Sequence, residues 1–263
     1  MSDGKGTRAG FRAAAILIYA FMYVPIAVLV VFSFQESRVL SWPIDAWSLR
    51  WYAALLDDHQ LLQSIANSFK VATACVVVTT VVGVPLALAL RQLGRGVALI
   101  LERTILMPLI VPPLITGLAF LLIFNRSGLK LSLLTIIIGQ SIVWMPLVVT
   151  QVYARLQSLD EEIEQASMDL GANRLQTFFL VTLPAIRTSV IGSALLVFTL
   201  SFDELPVTFF LTGSENTLPM HIWSMLRIGI TPEINAIASL TVLASILLIL
   251  AGTRLLLKND KAK

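Results

Sequence analysis

Two adjacent carboxylates, Asp203 and Glu204, stand alone in the apolar run 188–212. An ionised Asp at mid-bilayer costs about 2.5–3.5 kcal/mol on insertion scales, so such a pair calls for a partner or a water-filled cavity. Side by side, carboxylates neutralise ammonium groups and accept charge-assisted hydrogen bonds, which is the chemistry of a cation pathway. The competing reading is structural: an ion pair to a second chain or to Arg227. Neighbouring residues on a helix lie ~100° apart, so both can border one cavity without pointing the same way. Pro206 follows and frees a backbone carbonyl, which favours a kink there. Trp144 and Trp223 are the candidate aromatic faces for a cation, although both residue types also serve as packing or interface anchors.

A second polar constellation runs from Ser158 to Pro184. Five acids (Asp160, Glu161, Glu162, Glu164, Asp169) fall within ten positions. Ser158 and Glu161 have the S-x-x-E spacing of a capping box, and acids crowd the first turn where the helix dipole favours them. Leu156, Leu159, Ile163, Ala166 and Leu170 recur at steps of three and four, one apolar stripe. Gly171 supplies a left-handed helix end. Leu175, Phe178 and Phe179 begin a second amphipathic helix, which Pro184 closes. Small residues at Ala166, Ser167, Gly171 and Ala172 favour close approach by another surface. The alternative is a solvated connector folded back on its own bundle.

The elements that must position these groups are membrane spans. Hydrophobic residues make up 57% of the 263 residues and charged ones 13%, against roughly 45–50% and 25% in soluble domains. That apolar excess cannot be hidden in a core of this size, so lipid must cover it. A helix needs roughly 20 apolar residues to cross the hydrocarbon. Runs of that size predict an all-α membrane protein with six spans, at about 13–34, 68–90, 104–125, 131–154, 188–212 and 233–255. Residues 1–263 then form one transmembrane domain, with a helix–turn–helix loop over 156–187 between spans four and five. The first span reads as retained, because no small-x-small cleavage site follows it.

Basic residues set the orientation. Thirteen of the nineteen lie in the tails and even-numbered loops, which predicts both termini and the 156–187 loop in the cytoplasm. The charge of +3 is thus a topology signal and not a nucleic-acid footprint. On the other side, Trp42, Trp47, Trp51 and Tyr52 suit a membrane interface. Leu218, Ile222, Met225 and Leu226 predict a short helix there, bounded by Pro219 and by Gly229 with Pro232. Cys75 is a lone thiol in an apolar run, and His59 and His221 are isolated, so no metal site is expected. Pro108, Pro112, Pro113 and Pro146 kink spans three and four.

Residues 165–184, QASMDLGANRLQTFFLVTLP, resemble the EAA motif of ATP-binding-cassette importer permeases. Ala166, Gly171, Ala172, Phe178, Leu183 and Pro184 match it, while the motif's glutamate falls on Gln165 and its second alanine on Ser167. Glu164 stands one residue early. Phe32-Ser33-Phe34, Leu49-Arg50-Trp51-Tyr52, Asn67-Ser68, the Met107–Thr116 run and residues 198–226 resemble the polyamine branch, the spermidine and putrescine importers. The resemblance implies an inner-membrane permease subunit, not itself an enzyme. Its partners would be a second permease, two ATPase subunits and an external solute-binding protein. Ile163, Glu164, Gln165, Ala166, Ser167, Gly171, Ala172, Phe178 and Pro184 would dock an ATPase. Asp203, Glu204, Trp144 and Trp223 would line the solute pathway. No cofactor is implied on this chain: it lacks a G-x-x-x-x-G-K-[ST] phosphate loop, so the partner would use the ATP. The same machine could carry a phosphonate, an opine or amino-acid derivative, or a metal chelate. A secondary transporter or channel fits less well, since no paired repeats are evident.

Overall fold

A computed structural model describes residues 3–229, 231–243 and 246. Among them no strand forms, and the single bridge, Gln35 to Trp47, is isolated. The chain divides into two compact units, residues 1–59 with 222–263, and residues 60–221.

The first unit holds α1 (Asp3–Phe32) and α2 (Arg50–Asp57). Four helices among the described residues are long and apolar enough to cross a membrane, and a bent pair makes a fifth. The Ala14–Phe32 stretch of α1 buries nothing within the chain. Phe21, Ile18 and Tyr19 are all exposed, as a helix faced by lipid requires. The turn after α1 is folded. Gln35 is buried, its Nε2 donates 2.6 Å to the Val39 carbonyl, and its own carbonyl accepts 2.7 Å from the Trp51 indole N–H. Trp42 and Trp47 stay exposed, as an interface residue should, whereas Trp51 is buried and pins this turn. The indole N–H explains the difference: buried, it must be satisfied, and the Gln35 carbonyl is in reach. Of the expected span 233–255, residues 244, 245 and 247–255 lie outside the described residues; 232–243 are helical.

The second unit carries α3 (His59–Gln92), α4 (Arg95–Ile110), α5 (Pro113–Arg126), α6 (Leu133–Gln157), α7 (Glu161–Asp169), α8 (Arg174–Thr177), a π turn at Phe178–Thr182, α9 (Leu183–Phe202) and α10 (Pro206–Leu211). Then α11 (Leu218–Ile228) begins, at the place the sequence pattern gives it. The core of this unit is aliphatic: Val71, Val148, Val149, Val152, Leu156, Ile186 and Val197 have almost no exposure. Helix α6 packs on α9 and α4, and α5 packs on α10.

Two expected spans are broken. Residues 104–125 do not form one kinked helix, because α4 and α5 meet at 97°. A residue before proline is pushed out of the α region, and here two such residues are consecutive. Val111 (ψ 132°) and Pro112 (ψ 130°) are both extended, and Pro113 then starts α5. The 188–212 run is likewise two helices, α9 and α10, with Asp203 to Leu205 between them. Helix α10 fits because α5 has no side chain at Gly117. A Cβ there would lie 2.9 Å from the Phe210 ring and 3.0 Å from the Val207 Cα.

Candidate functional site

The loop between α6 and α9 differs in detail from its sequence pattern. Ser158 caps the end of α6, its hydroxyl donating 2.7 Å to the Arg155 carbonyl. Asp160 is the N-cap of α7 instead, accepting 3.0 Å from the Glu162 N–H. The S-x-x-E spacing is therefore not used as a capping box, because the aspartate two residues on is better placed. The apolar stripe is split as well. Leu156 lies in the core on α6, while Ile163 is exposed on α7 and Leu170, just past its end, is 91% exposed. Gly171 takes φ +93° and ends α7 as expected, yet nothing lies within 4 Å of a Cβ there. The glycine answers a backbone requirement and not crowding.

Beyond the turn, Asn173 and Gln176 form the capping box that opens α8, at 2.9 and 2.8 Å. Pro184 does not close this helix. The π turn at 178–182 comes first, with the Leu183 N–H bonded back five residues to Phe178. Widening by one residue relieves the clash that a proline ring makes in an α-helix. The helix then runs on through Pro184 into α9.

Glu164 is the centre of this loop. Its Oε1 takes 3.0 Å from an Arg91 guanidinium nitrogen on α3 and 2.7 Å from the Thr182 hydroxyl. Both charged side chains are largely covered. A cleft of about 670 Å³ opens beside this pair, lined by Leu88 and Gln92 from α3, Gln165 and Met168 from α7, and Arg174, Thr177 and Phe178. Of the expected docking residues, Ile163, Gln165, Ala166, Gly171 and Pro184 are exposed, and Ser167, Ala172 and Phe178 are half-buried. Ser167 touches Thr177 at 3.3 Å, tying α7 to α8. Leu170, Leu175, Phe179 and Leu180 also face out, a concentration of apolar surface on a loop otherwise rich in charge.

The carboxylate pair separates. Glu204 is 6% exposed. Its Oε1 accepts 2.7 Å from the Val207 N–H, and its Oε2 accepts 2.9 Å from the Thr208 N–H and 2.7 Å from the Thr208 hydroxyl. It thus satisfies the free N–H groups that open α10, where a carboxylate is favoured. Asp203, one residue earlier, is exposed, and its carboxylate makes no hydrogen bond or ion pair among the described residues. The two do not share a helix, so the 100° relation of helical neighbours does not apply. Phe202 before them joins Phe69 and Phe198 in a ring cluster, at centroid distances of 5.1 to 6.0 Å.

Trp144 packs against the core of the second unit, and Trp223 lies 40% exposed on α11. Among the described residues neither ring has a cation over its face; that contact forms instead between Arg50 and Trp51, at 4.7 Å. Sequence reasoning missed Gln140 and Thr208, which reach Glu204, and Ser201, which bonds Gln140. A buried amide inside an apolar span was the available signal for Gln140. Arg91 is one of the thirteen basic residues that set the orientation, and nothing in the local pattern pairs it with Glu164.

Residues 79–261 match the family described as binding-protein-dependent transport system inner membrane component. The chain is 35% identical over 254 residues to the putrescine transport system permease protein PotI of Escherichia coli K12, covering 91% of this chain and 88% of that one. It is 32% identical over 263 residues to the spermidine/putrescine transport system permease protein PotC of the same strain, covering 99% and 97%. Among solved structures it resembles a chain of a bacterial ABC transporter involved in the import of the acidic polysaccharide alginate, with TM-score 0.72 and 18% identity over 97% of this chain and 98% of that one. A chain of an amino acid ABC transporter aligns with TM-score 0.57 and 16% identity, covering 78% and 98%. The broken spans and the loop on α7 and α8 therefore belong to a multi-pass inner-membrane permease subunit of an ATP-binding-cassette importer, a member of the binding-protein-dependent transport family.

Proposed function

We propose that this permease forms half of a pathway for a small polycation of the polyamine class, with Asp203 as a cation contact. The observation that carries the reading is the break between α9 and α10. It leaves one carboxylate, Asp203, exposed and unpaired among the described residues at the end of an apolar helix. An exposed carboxylate suits an alkyl ammonium, which gains a charge-assisted hydrogen bond from it. The names of the relatives, putrescine and spermidine/putrescine permeases, point the same way. Glu204 has no such role in this reading, because protein donors occupy its oxygens.

The chain crosses the membrane six times with both termini in the cytoplasm, and α7 and α8 face an ATPase subunit there. The exposed apolar residues of that loop and the adjoining cleft supply the docking surface. A second permease completes the pathway, a partner hydrolyses ATP, and an external binding protein delivers the solute. With the cytoplasmic loop ending at residue 187, a helical rise of ~1.5 Å per residue carries Asp203 roughly 24 Å across the ~30 Å hydrocarbon, into its outer half.

Uptake of labelled putrescine by the assembled importer, with Asp203→Asn beside wild type, tests the solute assignment. A rise in KM of about tenfold with assembly intact supports it; unchanged uptake removes Asp203 from the pathway. Cysteine labelling tests the topology, with position 165 expected to react only from the cytoplasm and position 216 only from outside.

A further inference from the structure

Gln140 lies on α6 with 1% exposure, inside a span where a buried amide is costly unless it is hydrogen-bonded. Its two ends reach opposite sides of the α9–α10 break. The Oε1 accepts from the Ser201 hydroxyl near the end of α9. The Nε2 donates 2.8 Å to the Thr208 hydroxyl oxygen on α10 and lies 3.4 Å from the Glu204 Oε2.

The donors fix the orientation of this amide. Every bond that the Glu204 carboxylate makes is one it accepts. The single Thr208 hydroxyl proton goes to Glu204, so the Thr208 oxygen can only accept from Gln140. The amide N–H₂ must therefore face α10, and its carbonyl must face Ser201. Turned over, it would set two acceptors against each other at Thr208. The result is one polarised chain, Ser201 to Gln140 to Thr208 to Glu204, which crosses the break from a third helix.

We infer that Gln140 is a positioning residue for solute recognition: it staples α9 to α10 and so holds the break that presents Asp203. Gln140 is buried and touches no solute itself. Glu204 and Gln140 share the task, one capping α10 and the other tying it to α9. The functional consequence rests on the proposed role of Asp203, whereas the staple itself does not.

The test uses the assembled importer in proteoliposomes, with binding protein, ATP and labelled putrescine. Gln140→Leu and Thr208→Val are close in size to the residues they replace and each removes one link. Each is expected to raise KM about three- to tenfold while the maximal rate stays within about twofold. Thr208→Ser keeps the hydroxyl and restores wild-type KM. The double variant is no worse than the worse single, since both cut one chain. A second measurement reads the geometry alone. In Asp203→Cys, labelling by a positively charged methanethiosulfonate slows at least about threefold once Gln140→Leu or Thr208→Val is added. Buried Cys75 is retained, and the same variants with Asp203 intact give the background. Unchanged KM and unchanged labelling in Gln140→Leu and Thr208→Val overturn the staple, as does strict additivity. If labelling slows but Asp203→Asn transports normally, the staple stands and the cation role of Asp203 falls.

Discussion

Two glutamates of this permease are drawn inward, Glu164 and Glu204, and they are held by opposite means. Glu164 meets a full counter-charge, Arg91, at 3.0 Å, and one hydroxyl. Glu204 meets no cation among the described residues. Two backbone N–H groups and the Thr208 hydroxyl hold it at 2.7 to 2.9 Å, and the Gln140 amide stands at 3.4 Å. The first arrangement joins two elements distant in sequence, α3 and α7. The second is mostly local, within four residues, and fixes a helix start. An ion pair holds chiefly by charge and tolerates small rotations of its side chains. A carboxylate held by backbone donors has one geometry, which suits a part that must keep its shape. The comparison thus separates a connecting glutamate from a shape-keeping one.

The largest effect should come from breaking the second. Glu204→Leu leaves two backbone donors and a hydroxyl buried without an acceptor, at about 1–3 kcal/mol each. We expect the melting temperature of the purified importer to fall by about 10 °C or more. Glu204→Gln keeps one acceptor oxygen and should lose roughly half as much. Equal, small losses in both variants would show that α10 does not depend on this cap.

The ion pair should come next. Arg91→Met and Glu164→Gln are each expected to lower ATP-driven uptake by about tenfold, equivalent to about 1.4 kcal/mol. Glu164→Gln keeps the Thr182 contact, so its stability should change less than that of Arg91→Met. Combining Arg91→Glu with Glu164→Arg should recover part of the uptake. Failure of the exchange to recover any would mean that the geometry of the pair, and not its charge, is what counts.

Two smaller tests sharpen the boundary between joint and surface. Gly171→Ala meets open space but must adopt φ +93°, which costs about 1 kcal/mol. A fall in uptake of about two- to fivefold is expected, with assembly retained. Gln165→Glu should have the smallest effect, within about twofold. Its side chain is exposed on the cleft, and the acid of this loop already stands one residue earlier, turned inward.

What the sequence determined was chemical type and local backbone demand. The apolar runs require lipid. Gly171 after an amphipathic stretch requires a left-handed turn, and φ +93° meets that demand. Val111-Pro112-Pro113 carries its own instruction to leave the helix, although its size, a 97° bend, depends on how α4 and α5 then pack. Asp203-Glu204 announced itself as a costly pair in an apolar run. Only the tertiary structure decided which of the two turns inward, because that choice rests on where α6 brings Gln140 and where α10 begins. It also decided that Arg91 meets Glu164, a contact across 73 residues that no local periodicity encodes. Periodicity reports the face a residue shares with its neighbours in sequence. Hydrogen-bond satisfaction across helices is settled only when the helices have packed, so the partners of Glu164 and the Gln140 contact of Glu204 were out of reach until then.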